Sequence, residues 1–154
     1  MTTSPPGVDP ADLAARFSSL TLRKEEWTHA AHLTVGAWHV DRYGPAEALT
    51  LLRNGIRRLN ESHGSVNTAT SGYHETITAA YVTLLAAYLD ACPPGLPLSA
   101  RVERMLGGPF AGRDMLLAFY SRERLMSTDA RARWLEPDLA PLGLDAVLGH
   151  TEPA

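Results

Sequence analysis

The chain has 154 residues, 45% of them apolar, which suffices for one packed core and is too short for two of ordinary size. Its 17 acidic and 14 basic residues are spread without a basic block or aromatic-basic interleaving, so nucleic acid is not an expected partner. No apolar run reaches the roughly 18–20 residues that span a bilayer, and Met1 to Gly7 lack the basic-then-apolar order of a secretion signal, so no membrane association and a cytoplasmic location are expected.

Asp9 followed by Pro10 reads as a cap with proline at the first helical position, opening a helix that runs to about Leu20. A second helix is predicted from about Thr28 to Tyr43, stopped by Gly44. Pro45 opens a third, amphipathic one that continues to His63 and stops at Gly64. The polar stretch 65–72 reads as a loop, and a fourth helix follows from about Tyr73 to Ala91, broken by Pro93-Pro94-Gly95. Cys92, the single cysteine, has no intrachain partner and no basic neighbour at this helix end, so its role is read as structural. Shorter helices follow, with Ser99 and either Ser127 or Thr128 as caps and Gly107-Gly108-Pro109 between them. No segment alternates with the period of a strand. The expectation is an all-α, single-domain compact bundle of about four main helices plus short C-terminal ones. The domain is placed at 9–142, and 1–8 and 143–154 are expected to be flexible tails.

Helical spacing fixes which residues share a face, because successive residues turn by about 100°. On the second helix His29, Leu33, Gly36 and Val40 form one stripe with His32 beside it, while Ala31, Val35 and Trp38 make the other side apolar too, so this helix should be central. Gly36 opens space where a ligand or another helix could approach. On the third helix His63 falls with the apolar set Ala48, Leu52, Gly55, Ile56 and Leu59. It also lies in the last turn, where the helix dipole favours an imidazolium. A fourth-helix stripe of His74, Thr78, Tyr81 and Leu85 puts another imidazole among apolar residues, with Glu75 turned about 100° away.

Imidazoles converging from separate helices suit a metal ion or a proton-transfer site. His29, His32 and His74 are therefore candidate ligands of a divalent metal ion, with zinc, iron and copper undistinguished by the donor set. Glu75 is a candidate base or further ligand, or else simply an acid complementing the dipole of the first turn. A histidine on an apolar face can equally be a core residue bonded to a backbone carbonyl. The chain has no Gly-rich phosphate loop, no Gly-x-Ser-x-Gly elbow, no His-Glu-x-x-His and no Glu-x-x-His pair, which removes the common chemistries those motifs carry.

Three spaced motifs, Trp27-x-His29-x-x-His32-Leu33, Gly72-Tyr73-His74-Glu75-Thr76-Ile77-Thr78 and Tyr120-Ser121-Arg122-Glu123-Arg124-Leu125-Met126-Ser127, resemble those of a family of small bacterial proteins without an established activity. Ala130-Arg131, Trp134 and Pro137-Asp138-Leu139 continue the likeness, as does Asn67-Thr68, while His39 and His63 match no motif of it. The resemblance spans about 27–142 and implies a shared helical fold and a shared site, but no reaction. It also points to Arg124, with Tyr120 or Ser121, as a source of positive charge for a substrate carboxylate or phosphate.

The resulting expectation is a small metal-dependent enzyme, a hydrolase, lyase or oxidoreductase, acting on a small polar metabolite that could be anionic. His29, His32 and His74 would hold the metal, Glu75 would be base or ligand, and Arg124 and Tyr120 would orient the substrate. Two alternatives stand beside it: a metal-free isomerase or lyase in which histidine and Glu75 move protons, and a helical ligand- or partner-binding module without catalysis. The apolar second and fourth helices could alternatively serve a homodimer, which is common for chains this size.

Overall fold

The computed structural model describes residues 9–148; the expected tail at 1–8, and 149–154 of the one expected at 143–154, lie outside them. Among the described residues the protein is all-α. Three long helices, α2 (His29–Tyr43), α3 (Pro45–Ser62) and α4 (Glu75–Ala91), are framed by α1 (Pro10–Ser18) and α5 (Leu98–Leu106). The short helices α6 (Arg122–Leu125), α7 (Thr128–Ala132) and α8 (Leu144–Leu148) complete the chain, with 3₁₀ turns at Lys24–Glu26, Pro109–Ala111 and Met115–Ala118. No described helix is long and apolar enough to cross a membrane.

Caps and breakers set most of these ends. Asp9 accepts from the Ala11 amide ahead of α1, Thr28 from the Ala31 amide ahead of α2, and Ser127 from the Ala130 amide ahead of α7. Ser99 does not cap α5: the helix starts at Leu98 with Pro97 as its N-cap, so Ser99 lies inside the first turn. Gly44, at φ 83°, ends α2 and opens directly into Pro45 of α3, a sharp corner that only a residue without Cβ makes cheaply. One expected tail is folded in part: Leu144–Leu148 is helical and its Val147 is buried, so an apolar residue past Gly143 finds a place against the 3₁₀ turns and α4.

The helices α2 and α4 are apolar nearly all round, and they pack on each other while α1, α3 and α5 cover α2. Leu84, Val35, Ala80 and Val102 are fully enclosed between them. Phe17 packs onto Gly55 of α3, where a Cβ would overlap its ring, and Gly36 of α2 lets a Leu85 methyl of α4 come to 3.0 Å of the position a Cβ would take. These two glycines bring helices together, which outweighs the roughly 1 kcal/mol that glycine costs within a helix.

The fourth helix begins later than its periodicity suggests. His74 is its N-cap, in extended backbone at φ −131°, and its ring folds over the first turn to accept from the Ile77 amide at 3.1 Å. From that position it also fastens the C-terminal region, donating from Nε2 to the Leu125 carbonyl at 2.8 Å. Around it the same seam is closed by Thr76, which donates to the Arg133 carbonyl and accepts from the Leu135 amide, and by Arg131, which donates to the Gly72 carbonyl. Tyr120 is wholly buried and donates to the Leu135 carbonyl, Arg124 donates to the Glu136 carbonyl, and the Ser121 amide donates to Asp138.

Candidate functional site

The Thr28 cap sets His29 and His32 on the first turns of α2, facing a cavity of about 400 Å³ enclosed by α2, α3 and α4. Its walls are apolar, with Leu33, Leu52, Ile56, Val82 and Leu85 among them, and Gly36 opens its floor. A site of this size, mostly apolar with few polar groups, is the usual form of a small-molecule pocket, for which volumes of about 300–1,000 Å³ are typical. Two smaller cavities adjoin it and share lining residues. One, of about 210 Å³, continues past His29 and Tyr81 to Arg113, Asp114 and Arg122. The other, of about 310 Å³, continues past Trp27 and His32 to Asn60, Tyr73 and His74.

Each imidazole at this cleft is held by a backbone carbonyl, and a carbonyl only accepts, so the hydrogen bonds fix the tautomers of the neutral rings. His29 donates from Nε2 to the Phe110 carbonyl at 3.0 Å, which leaves the Nδ1 lone pair uncommitted among the described residues. His32 donates from Nδ1 to the Thr28 carbonyl at 2.7 Å and keeps Nε2 as a free acceptor. Its ring stacks on Trp27 with centroids 3.7 Å apart, and Trp27 stacks in turn on Phe17 at 5.4 Å. By area His32 is exposed, because the cavity reaches one edge of the ring; the protein walls round that cavity nevertheless desolvate it and push its pKa down to about 4. Nearby His29 and Arg113 act in the same direction.

Tyr81 also lines the cavity. Its hydroxyl is buried without a hydrogen-bond partner among the described residues, and its ring meets His29 edge-on at 5.9 Å. Desolvation, with a smaller contribution from Asp114, raises its pKa to about 12, so it remains a protonated phenol at neutral pH. Thr78 also lines the cavity, but its hydroxyl is spent on the His74 carbonyl. Arg113, exposed at the mouth, makes no ion pair or hydrogen bond among the described residues.

The expected trio of imidazoles is therefore only partly assembled. His29 and His32 share the main cavity, and His74 borders the lobe beyond His32, but both of its ring nitrogens are already engaged. Its lone pair caps α4, and burial lowers its pKa further against charging. No three His, Cys, Asp or Glu side chains among the described residues are grouped so as to hold a metal ion. The periodicity argument placed His74 inside a helix; as a cap it points back along the first turn instead.

Glu75 is not at the cavity. It turns towards α3, where Arg53 grips it with two bonds of 2.9 and 2.7 Å and the Tyr73 hydroxyl adds a third at 2.8 Å. Those hydrogen bonds, the Arg53 one foremost, hold its carboxyl below the usual range, so it stays ionised and committed. Tyr120 and Arg124 lie in the C-terminal seam and line none of the three cavities. His39 donates to the Val35 carbonyl inside the core, and His63, the C-cap of α3, donates to the Leu22 carbonyl. Tyr81 and Arg113 are the residues that sequence reasoning undervalued. Tyr81 showed only as one member of an apolar stripe, and Arg113 lies in a loop without periodicity.

Comparison with protein-family models, with curated proteins and with solved structures returns no match. The likeness to a bacterial family thus rests on the short motifs alone. In the fold the Trp27, His29 and His32 motif lines the cavity together with Ile77 and Thr78 of the second motif, while His74, Tyr120 and Arg124 meet in the C-terminal seam.

Proposed function

We propose that the cavity between α2 and α4 binds a small cytoplasmic molecule with an apolar body and a polar end, and that Tyr81, His29 and His32 recognise that end. One observation carries the reading: Tyr81 lines the cavity, and its hydroxyl, shielded from solvent, has no hydrogen-bond partner among the described residues. Leaving a buried hydroxyl unpaired costs about 1–3 kcal/mol, a cost that a ligand acceptor would recover on binding. The volume corresponds to on the order of a dozen water molecules, so it suits a compact metabolite and not a polymer.

Titration of the protein with 1-octanol by calorimetry tests this reading with a neutral probe. The expected result is saturable binding of one molecule per chain, weakened about fivefold in Tyr81→Phe through loss of one hydrogen bond. Absence of saturable binding would overturn the proposal.

A catalytic version is favoured by the state of His32, whose ring is neutral at pH 7 and offers Nε2 to the cavity. In that reading Nε2 takes a proton from carbon next to a ligand carbonyl, while the Tyr81 hydroxyl donates a hydrogen bond to the oxygen that gains charge. His32→Gln should then weaken ligand binding by no more than about fivefold, the worth of one hydrogen bond, and lose hydrogen–deuterium exchange at that carbon; exchange at the unaltered rate contradicts it. A metal-dependent version reduces to His29 Nδ1 and His32 Nε2 as protein ligands, because His74 has no lone pair to give.

A further inference from the structure

We infer that the molecule taken by this cavity is an amphiphilic carboxylate, bound with its chain in the main cavity and its carboxylate on Arg113 at the cavity mouth; this rests on the reading of the cavity as a ligand site. Beyond Tyr81 and His29 the adjoining lobe keeps an apolar lining, Leu116, Leu117, Leu125 and Met126 among it, and adds charged side chains at its rim. Arg113 borders both spaces, and Arg122 borders the smaller one. Neither guanidinium makes an ion pair or hydrogen bond among the described residues. The lobe also holds Asp114, so two cations face one anion there and the balance is positive.

The chemistry of the junction selects the head group. At the mouth of the cavity Arg113 supplies a planar fork with donors to spare. The parallel N–H donors of that fork match the two oxygens of a carboxylate. An ammonium would meet a repelling guanidinium, and an alcohol would leave its charge unanswered. His29 and His32 line the cavity with Arg113, and their free lone pairs are available to a hydroxyl or an ordered solvent molecule at the same end.

Calorimetric titration of the full chain at pH 7.5 with octanoate, 1-octanol and octylamine separates the outcomes. The expected order is octanoate tighter than octanol by about tenfold, the gain of one charge-assisted hydrogen bond, with octylamine weakest. In Arg113→Gln, a change at an exposed residue whose folding is checked by an unchanged melting temperature, octanoate should fall to the level of octanol while octanol itself is unaffected. Octanol equal to octanoate, an amine preference, or an octanoate preference that survives Arg113→Gln would each overturn the carboxylate assignment and leave the cavity reading standing. Failure of all three probes to bind would overturn both.

Discussion

The C-terminal seam and the α2–α4 cavity hold similar side chains and use them in opposite ways. At the seam His74 engages both ring nitrogens, Tyr120 and Arg124 each donate to a carbonyl, and Thr76 both donates and accepts. In the cavity the Tyr81 hydroxyl has no partner, His29 and His32 each keep a lone pair, and Arg113 is unpaired among the described residues. A polar group whose valences are filled by its own chain contributes to folding, whereas one left open at a cavity wall is available to a ligand. What separates a structural histidine from a binding one here is the backbone at its other nitrogen, which residue identity does not reveal.

The sharpest way to break this comparison is at Tyr120. Tyr120→Ala should destabilise the protein by about 3–5 kcal/mol, as truncations of buried aromatics do, measured by urea unfolding, while the fraction still folded binds octanol normally. Lost binding with unchanged stability would reverse the roles of the two regions. At His74 the expected cost is smaller. His74→Ala strips the α4 cap and leaves the Ile77 amide and Leu125 carbonyl short of partners, a loss of about 1–3 kcal/mol, again without weakening ligand in the folded protein.

The two tyrosines then give opposite signs. Removing the hydroxyl in Tyr120→Phe orphans the Leu135 carbonyl and should cost about 1 kcal/mol, whereas Tyr81→Phe removes an unpaired buried hydroxyl and should leave the ligand-free protein equally stable or more stable by about 1 kcal/mol. Thermal melts of the two variants measure the contrast, and a marked loss in Tyr81→Phe would show that its hydroxyl is satisfied within the fold.

The smallest expected effect is a slope with pH. His32 has a folded pKa of about 4, below the ordinary value of 6.5, so between these values the unfolded chain binds a proton that the folded chain does not. Stability should therefore fall as pH drops from 6.5 towards 4. His39 and His74, also lowered by burial, add to the same trend. Glu75 has a lowered pKa and contributes above 4.5; that contribution is lost on further acidification. His32→Gln should flatten the upper part of the slope; a slope unchanged by that substitution would mean the ring is not desolvated.

Much of the scaffold was legible. Pro10, Thr28, Gly44 and Pro45 mark helix ends through backbone chemistry that acts locally, and the unbroken apolar periodicity of α2 and α4 marks them as central. The start of α4 was not, because a histidine standing in for the usual serine or aspartate as cap leaves no distinctive pattern in the sequence. Glu75 was misjudged for a related reason: its partner Arg53 lies on the wet side of α3 by periodicity, and only the packing of α3 against α4 brings the two together. Within the candidate site, His29 and His32 could be picked out by their shared helix face. Tyr81 and Arg113 could not, since their significance arises where α4 meets a loop more than thirty residues further along, a juxtaposition set by tertiary packing.

Long-range proton–nitrogen correlation of the histidine rings, recorded before and after saturation with octanoate, addresses the contrast between the two regions most directly. The protein should show a proton on Nδ1 of His32 and on Nε2 of His29 and His74, with octanoate shifting the His29 and His32 nitrogens and leaving those of His74 in place. If the His74 nitrogens moved together with the other two, or if His29 and His32 failed to respond to bound octanoate, the division between a committed seam and an open cavity would be contradicted.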